Sequence, residues 1–461
     1  MGKHYDFIII GGGSAGYAAA STVREYREKV AIVDGSKELG GLCILRGCMP
    51  SKTLLFIADI LHYSRRGELF GLNIPYAEAD MEAINKRKKR LIKEFAEYRV
   101  QQLESDKFTL LRSHGRFLND HTIVLDNGEQ LTADGFIVAT GSKINTPQIP
   151  GLDCVPFLTS DEILDLDTIP ESVIILGGGI VAAELAQFLN RMGSSVTQIQ
   201  RSSRILKDAS PESSDVVMQA FRDEGIELFT ETEIRSIEVK GTGVSVQFLH
   251  NGSELIKQGV VLFNALGRIP NTSNLNLESA GVNIQESGHI STNSFQQTSN
   301  PIVYAAGDCC GPHEIVHTAI FQGEVAGRHF LGKNPKPVNY DHLTMVIFTD
   351  PQVATVGIPL DQIKRNSANY ICAEYPFNDH GKSILMEAKY GYVKIWALEN
   401  GQILGAECVG RDAGELIHSL AIAVTLKANV SDLLNTHWYH PTLSEIWTYP
   451  LEEIASKIKS I

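Results

Sequence analysis

The chain has 461 residues, of which 43% are hydrophobic and 21% are charged, so it can bury more than one core and we expect two or three domains. Its formal net charge of −13 argues against a nucleic-acid partner, because binding phosphates requires concentrated positive charge. The N-terminal segment shows no secretion signal and glycines or a carboxylate interrupt every longer apolar stretch, so we expect a cytoplasmic protein without a membrane partner.

The first predicted element is a βαβ unit in KHYDFIIIGGGSAGYAAA, where Gly11, Gly13 and Gly16 have the G-x-G-x-x-G spacing. The first glycine permits a tight turn, the second lets the backbone approach a pyrophosphate, and the third allows close helix packing. A second strand, VAIVD, ends in Asp34, whose carboxylate would accept hydrogen bonds from an adenosine ribose. We therefore expect this unit to bind a dinucleotide.

Two cysteines follow this unit in GGLCILRGCMPSK, residues 40–52. The span from Cys43 to Cys48 closes a small loop that a disulfide can bridge, and a following helix N-terminus is expected to lower both thiol pKa values from about 8.5. Cys309 and Cys310 are adjacent, a spacing that favours neither metal nor redox chemistry, and the other three cysteines are isolated. We expect the Cys43–Cys48 pair to be redox-active and expect no metal site; the alternative is that the two cysteines only pack.

A basic run, KRKKR, occupies residues 86–90. Apolar residues recur around it at helical spacing, which predicts an amphipathic helix with the lysines on its solvated face rather than a nucleic-acid site. These apolar residues are Met81, Ile84, Leu91, Ile92, Phe95 and Leu103.

The strand, glycine turn and helix pattern returns in SVIILGGGIVAAELAQFLNRMGSSVTQIQR, residues 172–201, with Gly177, Gly179 and Ala182 in the fingerprint positions. Two dinucleotide sites in one chain imply two cofactors.

The residues after the second strand of this repeat indicate which nicotinamide nucleotide binds. Gln200 stands where NAD-binding proteins usually have a ribose-binding carboxylate, and Arg201 and Arg204 follow it. A 2′-phosphate needs cationic donors, so this stretch favours NADPH over NADH. Solvated arginines on a turn are the alternative.

With GGLCILRGCMPSK between two fingerprints, the chain resembles the pyridine nucleotide-disulfide oxidoreductases, which include dihydrolipoamide dehydrogenase, glutathione reductase and mercuric reductase. Further motifs extend the resemblance over nearly the whole chain: ATGS (139–142), GRIPN (267–271), AAGD (305–308), FTDPQVATVG (348–357) and HPTLSE (440–445).

The resemblance implies an α/β fold with two Rossmann-like dinucleotide-binding domains and a C-terminal α+β dimerisation domain. The FAD-binding domain would comprise residues 1–148 and 271–338, and the NAD(P)-binding domain residues 149–270. Alternating strand-like runs from about residue 340 agree with a different architecture for the remainder, residues 339–461. The resemblance further implies a homodimer with active sites at the subunit interface.

The resemblance also implies a role for individual residues around the flavin. Cys43 would attack the substrate and Cys48 would face the flavin. Lys52, paired with Glu184, would lie beside the flavin N5 and stabilise negative charge arriving there. Further cofactor contacts are implied for Gly141, Gly267, Asp308 and Ala319.

Near the C-terminus, HWYHPTLSE contains the implied acid/base. In the family pattern, His440 of the partner subunit exchanges protons with the substrate, and Glu445 orients its imidazole. His437 is the competing candidate, and His440 could also be a histidine that only packs.

Together these features predict an enzyme that passes electrons from NADPH through FAD to the Cys43–Cys48 disulfide and on to a small disulfide. The NADPH preference disfavours dihydrolipoamide dehydrogenase, and a missing C-terminal cysteine pair disfavours mercuric reductase. Glutathione reductase stays possible, although no cluster identifies a glutathione pocket. Direct reduction of quinones or metal ions by the flavin, soluble transhydrogenase activity and a redox-sensing flavoprotein are also compatible with the sequence.

Four residues depart from the common family pattern: Leu42, Leu45, Arg46 and Ile180. Their identities suggest an acceptor that differs from the familiar ones. Arg46, which lies between the two cysteines, would favour a thiolate or an anionic acceptor, or else pair with a structural carboxylate.

Overall fold

The computed structural model describes residues 3–365 and 369–458. Its first segment supplies strands and helices in the expected βαβ order. The strands are β1 (Lys3–Tyr5), β2 (Phe7–Ile10), β3 (Val30–Val33), β4 (Thr109–Leu111), β5 (Gly115–Asn119), β6 (Thr122–Leu125), β7 (Gln130–Ala133), β8 (Phe136–Val138) and β9 (Ser142–Ile144), and the helices are α1 (Ser14–Arg24), α2 (Leu42–Arg46), α3 (Cys48–Arg65) and α4 (Met81–Leu103).

The turn between β2 and α1 requires glycine at two fingerprint positions. Gly11 has φ +106°, and a Cβ there would lie 2.4 Å from the carbonyl oxygen of Ala139. A Cβ at Gly16 would lie 1.9 Å from the carbonyl oxygen of Gly11. Because neither distance leaves room for a side chain, the chain can bring α1 directly against the ends of β2 and β8.

Helix α4 corrects one expectation about the basic run. Lys88 is buried rather than solvated: its Nζ donates a hydrogen bond to the carbonyl oxygen of Leu164 and lies 2.7 Å from Asp165 Oδ1. Phe95, expected on the apolar face, is instead exposed. The helical period is right, but a loop from the following segment covers the polar face at Lys88 and supplies oxygens for its ammonium.

The next segment builds a second parallel sheet in the order β12-β11-β10-β16, beside an antiparallel sheet of β13, β14 and β15. The strands are β10 (Ser172–Leu176), β11 (Ser195–Ile199), β12 (Glu227–Phe229), β13 (Glu233–Lys240), β14 (Gly243–His250), β15 (Ser253–Gly259) and β16 (Val261–Asn264), with helices α5 (Ser160–Ile163), α6 (Ile180–Met192) and α7 (Pro211–Asp223). Helix α6 is almost wholly buried, and its alanines share a core with Leu54 and Ala58 of α3. That shared core brings α3 and α6 together.

The chain then returns to the first unit through β17 (Arg268–Pro270), β18 (Val303–Ala305) and α8 (Val316–Phe330). Strand β17 pairs with β9, and β18 pairs with β8, which completes a sheet in the order β18-β8-β2-β3-β4. A Cβ at Gly323 of α8 would lie 2.3 Å from the carbonyl oxygen of Ala15, so α8 packs closely on α1. The first unit is therefore built from two separate stretches of sequence.

The last segment is an antiparallel sheet in the order β19-β20-β23-β22-β21 with helices packed against it, as its alternating pattern predicts. The strands are β19 (Thr344–Ile347), β20 (Gln352–Gly357), β21 (Tyr370–Pro376), β22 (Tyr392–Leu398) and β23 (Ile403–Gly410), and the helices are α9 (Leu360–Arg365), α10 (Gly381–Leu385), α11 (Ala413–Leu426), α12 (Val430–Leu434) and α13 (Thr448–Lys457). Short 3₁₀ helices occur at Gly67–Phe70, Leu152–Cys154, Leu277–Ala280, Phe377–Asp379 and Ser444–Trp447.

The fold is thus the expected α/β architecture, with two parallel-sheet units and an α+β C-terminal unit. In the parts of the chain that the structure describes, no helix combines the length and apolar character needed to cross a membrane.

Candidate active site at the two cysteines

The two cysteines lie where one short helix ends and a long one begins. Cys43 is in α2, Cys48 is the first residue of α3, and Gly47 joins the two helices. Both cysteines are free thiols and half-buried. The chain therefore presents a thiol pair at the N-terminal end of α3, where the helix dipole favours negative charge.

The structure gives the two thiols opposite acidities. Hydrogen bonding from the Cys43 thiol lowers the pKa of Cys48 to about 7 despite burial, and the Lys52 ammonium adds to the lowering. The same hydrogen bond, followed by burial, raises the pKa of Cys43 above its usual range. The direction at Cys48 agrees with the expected lowering, although its largest cause is the neighbouring thiol, and the direction at Cys43 is the opposite, because a thiol that donates to its neighbour is stabilised in the protonated form.

Lys52, one helical turn after Cys48, forms an ion pair with Glu184. Lys52 Nζ lies 2.7 Å from Glu184 Oε2, and the carboxylate is 4% exposed whereas the lysine side chain is 33% exposed. The other carboxylate oxygen accepts a hydrogen bond of 2.9 Å from the backbone N–H of Phe348, and Lys52 Nζ lies 4.6 Å from the centre of the Phe348 ring. One carboxylate thus joins α3, α6 and the turn before β20.

The first glycine fingerprint offers donors and an acceptor that fit a dinucleotide. No side chain caps α1, whose N-cap is Gly13, so its first N–H groups are available to phosphate oxygens. Gly41 lies opposite, where a Cβ would come within 2.9 Å of the Gly13 Cα. The Asp34 carboxylate is held by the N–H groups of Gly12 at 2.8 Å and Ser36 at 2.9 Å and keeps lone pairs for ribose hydroxyls.

The other residues implied in flavin contacts lie at the same edge of the sheet. Asp308 Oδ2 accepts a hydrogen bond of 2.7 Å from Ser142 Oγ, which in turn accepts one of 2.8 Å from Arg268 Nε. Gly141 and Gly267 flank the β9–β17 pair with φ of +68° and +93°. Ala319 is buried on α8, close to the Gly307 turn.

The second fingerprint is arranged like the first. Gly177 has φ +115°, Gly179 is the N-cap of α6 without a side-chain cap, and Ala182 is fully buried. A Cβ at Gly179 would meet no atom within 4 Å, which leaves room for a phosphate above the helix.

The two arginines after β11 lie on the surface of this unit. Among the described residues, neither Arg201 nor Arg204 forms an ion pair. Glu231 and Glu233, however, line the same open depression as Arg201. The depression therefore combines one cationic donor, Arg201, with two carboxylates, and the local sequence around Gln200 does not indicate these carboxylates.

His440 and Glu445 come together in the C-terminal unit. His440 Nδ1 lies 3.0 Å from both Glu445 oxygens, and the histidine side chain is 79% exposed. Within residues 3–365 and 369–458, no hydrogen bond or ion pair joins His440 to either thiol, and none is made by His437.

Two residues near these groups are not predicted by the sequence. Phe348 contacts both members of the Lys52–Glu184 pair and lies in the FTDPQVATVG motif, whose residue pattern by itself indicates no contact with the lysine. His380 is completely buried, with Nε2 3.5 Å from Glu445 Oε1 and Nδ1 2.8 Å from Ser383 Oγ. Its distance of 65 residues from Glu445 leaves no local signal in the sequence.

The residues that depart from the family pattern have ordinary surroundings. Arg46 Nη2 lies 3.2 Å from Glu38 Oε2 and its Nη1 lies 3.4 Å from Asp161 Oδ2, so it pairs with carboxylates of the protein itself. Leu42 and Ile180 are both partly exposed, at 36% and 39%.

Two family models match the chain: pyridine nucleotide-disulphide oxidoreductase over residues 5–323, and the dimerisation domain of the same family over residues 343–450. Among curated proteins, mercuric reductase of Staphylococcus aureus is 32% identical, the match covering 96% of this chain and 81% of that protein. Dihydrolipoyl dehydrogenase of Chlamydia muridarum is 32% identical, with 97% and 96% covered.

Solved structures agree with these matches. LpdA from Mycobacterium tuberculosis superposes with a TM-score of 0.87 at 26% identity, covering 98% of this chain and 99% of that chain. The HOCl-induced flavoprotein disulfide reductase RclA of Escherichia coli, at 22% identity and a TM-score of 0.84, covers 97% and 99% and shares the fold.

Proposed function

Because the chain belongs to the pyridine nucleotide-disulphide oxidoreductase family, a family of FAD- and nicotinamide-dependent enzymes, we propose that it uses NADPH to reduce a small disulfide at the Cys43–Cys48 pair. The carrying observation is the pair of free thiols at the junction of α2 and α3, one helical turn before a lysine whose Nζ lies 2.7 Å from the buried Glu184 carboxylate. A dithiol–disulfide exchange centre needs two neighbouring thiols. A nearby cation favours the thiolate form, which is the form that attacks a disulfide.

We assign residues 1–148 and 271–338 to FAD binding, residues 149–270 to the nicotinamide nucleotide, and residues 339–461 to dimerisation. Gly11, Gly13, Gly16 and Asp34 would hold the FAD pyrophosphate and ribose, with Gly141, Gly267, Asp308 and Ala319 at the same sheet edge. Gly177, Gly179 and Ala182 would take the nicotinamide nucleotide. FAD, when bound, supplies the two-electron chemistry that links a nicotinamide to the thiols.

Lys52 and Glu184 prepare the site for negative charge. The Lys52 ammonium lowers the pKa of Cys48, and Glu184 holds the ammonium in place at 2.7 Å. Since Glu184 is also bonded to the Phe348 backbone, the carboxylate is fixed in position, and Lys52 can turn fully into solvent only by leaving a nearly buried carboxylate unpaired. The pair therefore keeps a fixed positive charge beside Cys48.

In the proposed thiol exchange, one subunit supplies the two cysteines and its partner supplies the acid/base. His440 of the partner subunit takes the proton from the Cys43 thiol, and the Cys43 sulfur attacks the acceptor disulfide. The acceptor S–S bond breaks, and the leaving thiolate receives the proton from the imidazolium, which Glu445 stabilises. The Cys48 thiolate then attacks the Cys43 sulfur, closing the Cys43–Cys48 disulfide and releasing the second acceptor thiolate, so two electrons pass to the acceptor.

His440 is assigned to this step because it is the exposed histidine bonded to a half-buried carboxylate. Within the described residues it makes no hydrogen bond or ion pair with the thiols of its own chain, which is compatible with a homodimer in which each active site uses both subunits. The proposed NADPH preference is supported by Arg201 and Arg204, which have no ion-pair partner among the described residues and are free to bind a 2′-phosphate.

An anaerobic titration tests this function. Purified protein is titrated with NADPH and, separately, with NADH while the visible spectrum is followed, and turnover of small disulfides is then measured. We expect NADPH to produce a long-wavelength absorbance from a thiolate beside the flavin, and Cys43→Ser to abolish disulfide turnover while leaving flavin reduction intact. Bleaching of the flavin without that absorbance, or full activity of Cys43→Ser, would exclude the thiol pair as the working centre.

A second candidate is the reduction of a metal ion, since curated relatives at 32–33% identity are named mercuric reductase. The same assay distinguishes it: Hg(II) in place of the disulfide would have to support NADPH oxidation at a rate well above that of any disulfide. We rank disulfide reduction first because the name mercuric reductase describes those relatives, whereas the thiol pair and the His440–Glu445 pair, which disulfide exchange would use, are present in this chain.

A further inference from the structure

His380 is a buried histidine that the proposed thiol exchange does not use. Its side chain is inaccessible to solvent, and its Nδ1 lies 2.8 Å from Ser383 Oγ. Its Nε2 lies 3.5 Å from Glu445 Oε1, slightly longer than an ordinary hydrogen bond, and has no other polar partner within the described residues. Since buried polar atoms are rarely left without a partner, Glu445 is the acceptor available to this nitrogen.

The two polar neighbours of His380 determine which ring nitrogen carries the hydrogen. A carboxylate oxygen only accepts hydrogen bonds, so Nε2, which faces Glu445, carries it. Nδ1 of the neutral ring is then an acceptor, and the buried Ser383 hydroxyl donates to it. Burial lowers the pKa of His380 despite the neighbouring carboxylate, which agrees with a neutral ring. His380 is therefore a neutral donor facing Glu445.

Neighbouring elements hold the His380 ring in place. Ser383 belongs to α10, and the ring of Tyr449 in α13 meets the His380 ring edge-on, with ring centres 6.2 Å apart. Tyr449 in turn stacks on Tyr375 of β21, with ring centres 3.8 Å apart and planes 5° from parallel. Contacts other than the one with Glu445 thus already fix the position of the His380 ring.

His440 has no comparable restraint of its own. Its side chain is 79% exposed, and its hydrogen bonds within the described residues are to Glu445, whose two oxygens both lie 3.0 Å from Nδ1. A carboxylate that orients an imidazole must itself be held in one position. Of the two histidines beside Glu445, the buried one is able to hold it.

We propose that His380 is a positioning residue: its Nε2–H fixes the Glu445 carboxylate and, through that carboxylate, the imidazole of His440. No proton moves from His380, which stays neutral while His440 takes up and returns the proton of the thiol exchange. This inference rests on the proposed function, since it concerns the acid/base of the same site.

Three variants separate the hydrogen bond from packing. His380→Leu removes the N–H donor, whereas His380→Gln keeps an N–H at the end of the side chain. Phe377→Leu is the matched control, because Phe377 is equally buried, lies three residues earlier and has no side-chain donor for Glu445. FAD content and urea unfolding establish that each variant is folded.

Turnover of bis(2-hydroxyethyl) disulfide with NADPH is the first measurement. We expect His380→Leu to lower kcat about tenfold, because a misoriented acid/base loses part of its effect, while flavin reduction by NADPH is unchanged. His380→Gln should restore kcat to within about threefold of the wild type, and Phe377→Leu should stay within about twofold of it. Equal losses in all three variants would overturn the proposal.

A double-mutant cycle distinguishes positioning from a general structural effect. If His380 acts through Glu445, His380→Leu should cost less than about twofold in a Glu445→Ala background. A loss of the same size in both backgrounds would overturn the proposal, because a merely structural role does not require the carboxylate.

Alkylation of Cys43 does not depend on disulfide turnover. The reduced enzyme is treated with iodoacetamide at pH 7, and labelling of Cys43 is quantified by mass spectrometry, since the rate reports removal of the thiol proton. We expect His440→Gln to slow labelling about tenfold and His380→Leu to slow it at least about threefold.

The outcomes of this alkylation separate the two proposals. Slower labelling in His440→Gln alone would overturn the role of His380 and leave the proposed function standing. Slower labelling in both variants without turnover of any small disulfide would overturn the proposed acceptor and leave the role of His380 standing.

Discussion

Lys52 Nζ lies 2.7 Å from Glu184 Oε2, across 132 residues of sequence and between two different sheet units. Glu184 uses its second oxygen for the backbone N–H of Phe348, so the contact also reaches the C-terminal unit. A single buried carboxylate thus holds the cation of the candidate site and joins three parts of the fold.

Substituting Lys52 should destabilise the protein more than substituting Glu184. Lys52→Met leaves a nearly buried carboxylate without its cation, and we expect it to cost about 2 kcal/mol of unfolding free energy, less than for a fully buried pair because Lys52 is partly exposed. Glu184→Gln keeps an acceptor for Phe348 and should cost about 1 kcal/mol. Urea unfolding measures both values.

The matched control is Lys93→Met, which removes an exposed lysine paired with Glu97 at 3.5 Å and should change stability by less than about 0.5 kcal/mol. If Lys52→Met were as stable as this control, the Lys52–Glu184 contact would contribute nothing measurable to the free energy of unfolding.

The lowered pKa of Cys48 predicts a pH dependence. Since the folded-state pKa of about 7 lies below the usual thiol value, the thiolate persists as the pH falls from alkaline values and is half lost near pH 7. The long-wavelength absorbance of the reduced enzyme should decline through the same range. Lys52→Met should move the midpoint upward, because the Lys52 charge contributes to the lowering. An absorbance that stays constant down to pH 5, with or without Lys52, would contradict this cause.

Mixed dimers test whether each site uses two subunits. His440→Gln should lower disulfide turnover about 100-fold or more while flavin reduction by NADPH continues, because the acid/base acts only in thiol exchange. Coexpressed Cys43→Ser and His440→Gln chains should regain activity, since one of the two sites in a mixed dimer retains both groups.

His437→Gln is the control for this experiment, because His437 is exposed and three residues from His440. It should keep turnover within about twofold of the wild type. Mixed dimers as inactive as either parent would place both groups in one subunit.

The proposed NADPH preference can be tested at the two arginines after β11. Replacing Arg201 and Arg204 together by Gln should raise KM for NADPH about tenfold and leave KM for NADH unchanged, because only NADPH carries the 2′-phosphate. Glu231→Gln should lower KM for NADPH, since it removes a carboxylate from the depression that contains Arg201. A double variant that changes both KM values equally would show that the arginines do not read the 2′-phosphate.

Local sequence rules predict a large part of this molecule. The glycines at Gly11, Gly16 and Gly177 predict strand-to-helix turns because the backbone there leaves no space for a side chain or requires a positive φ. The thiol pair and the change to an antiparallel sheet after residue 340 are also visible in the sequence, since spacing and alternation act over a few residues. Motif order adds the Lys52–Glu184 and His440–Glu445 contacts, which no local rule supplies.

The tertiary structure decided which charged and titratable side chains are buried and which groups they contact. Whether Lys88 is solvated depends on oxygens of Leu164 and Asp165, 76 and 77 residues away. The buried position of His380 beside Glu445 and the stacking of Arg99 on Tyr17 likewise depend on neighbours from other elements. Backbone turns and side-chain periodicity are set by short-range sterics and can be predicted from the sequence alone, whereas solvation and electrostatic pairing are set by whatever the finished fold places within a few ångströms.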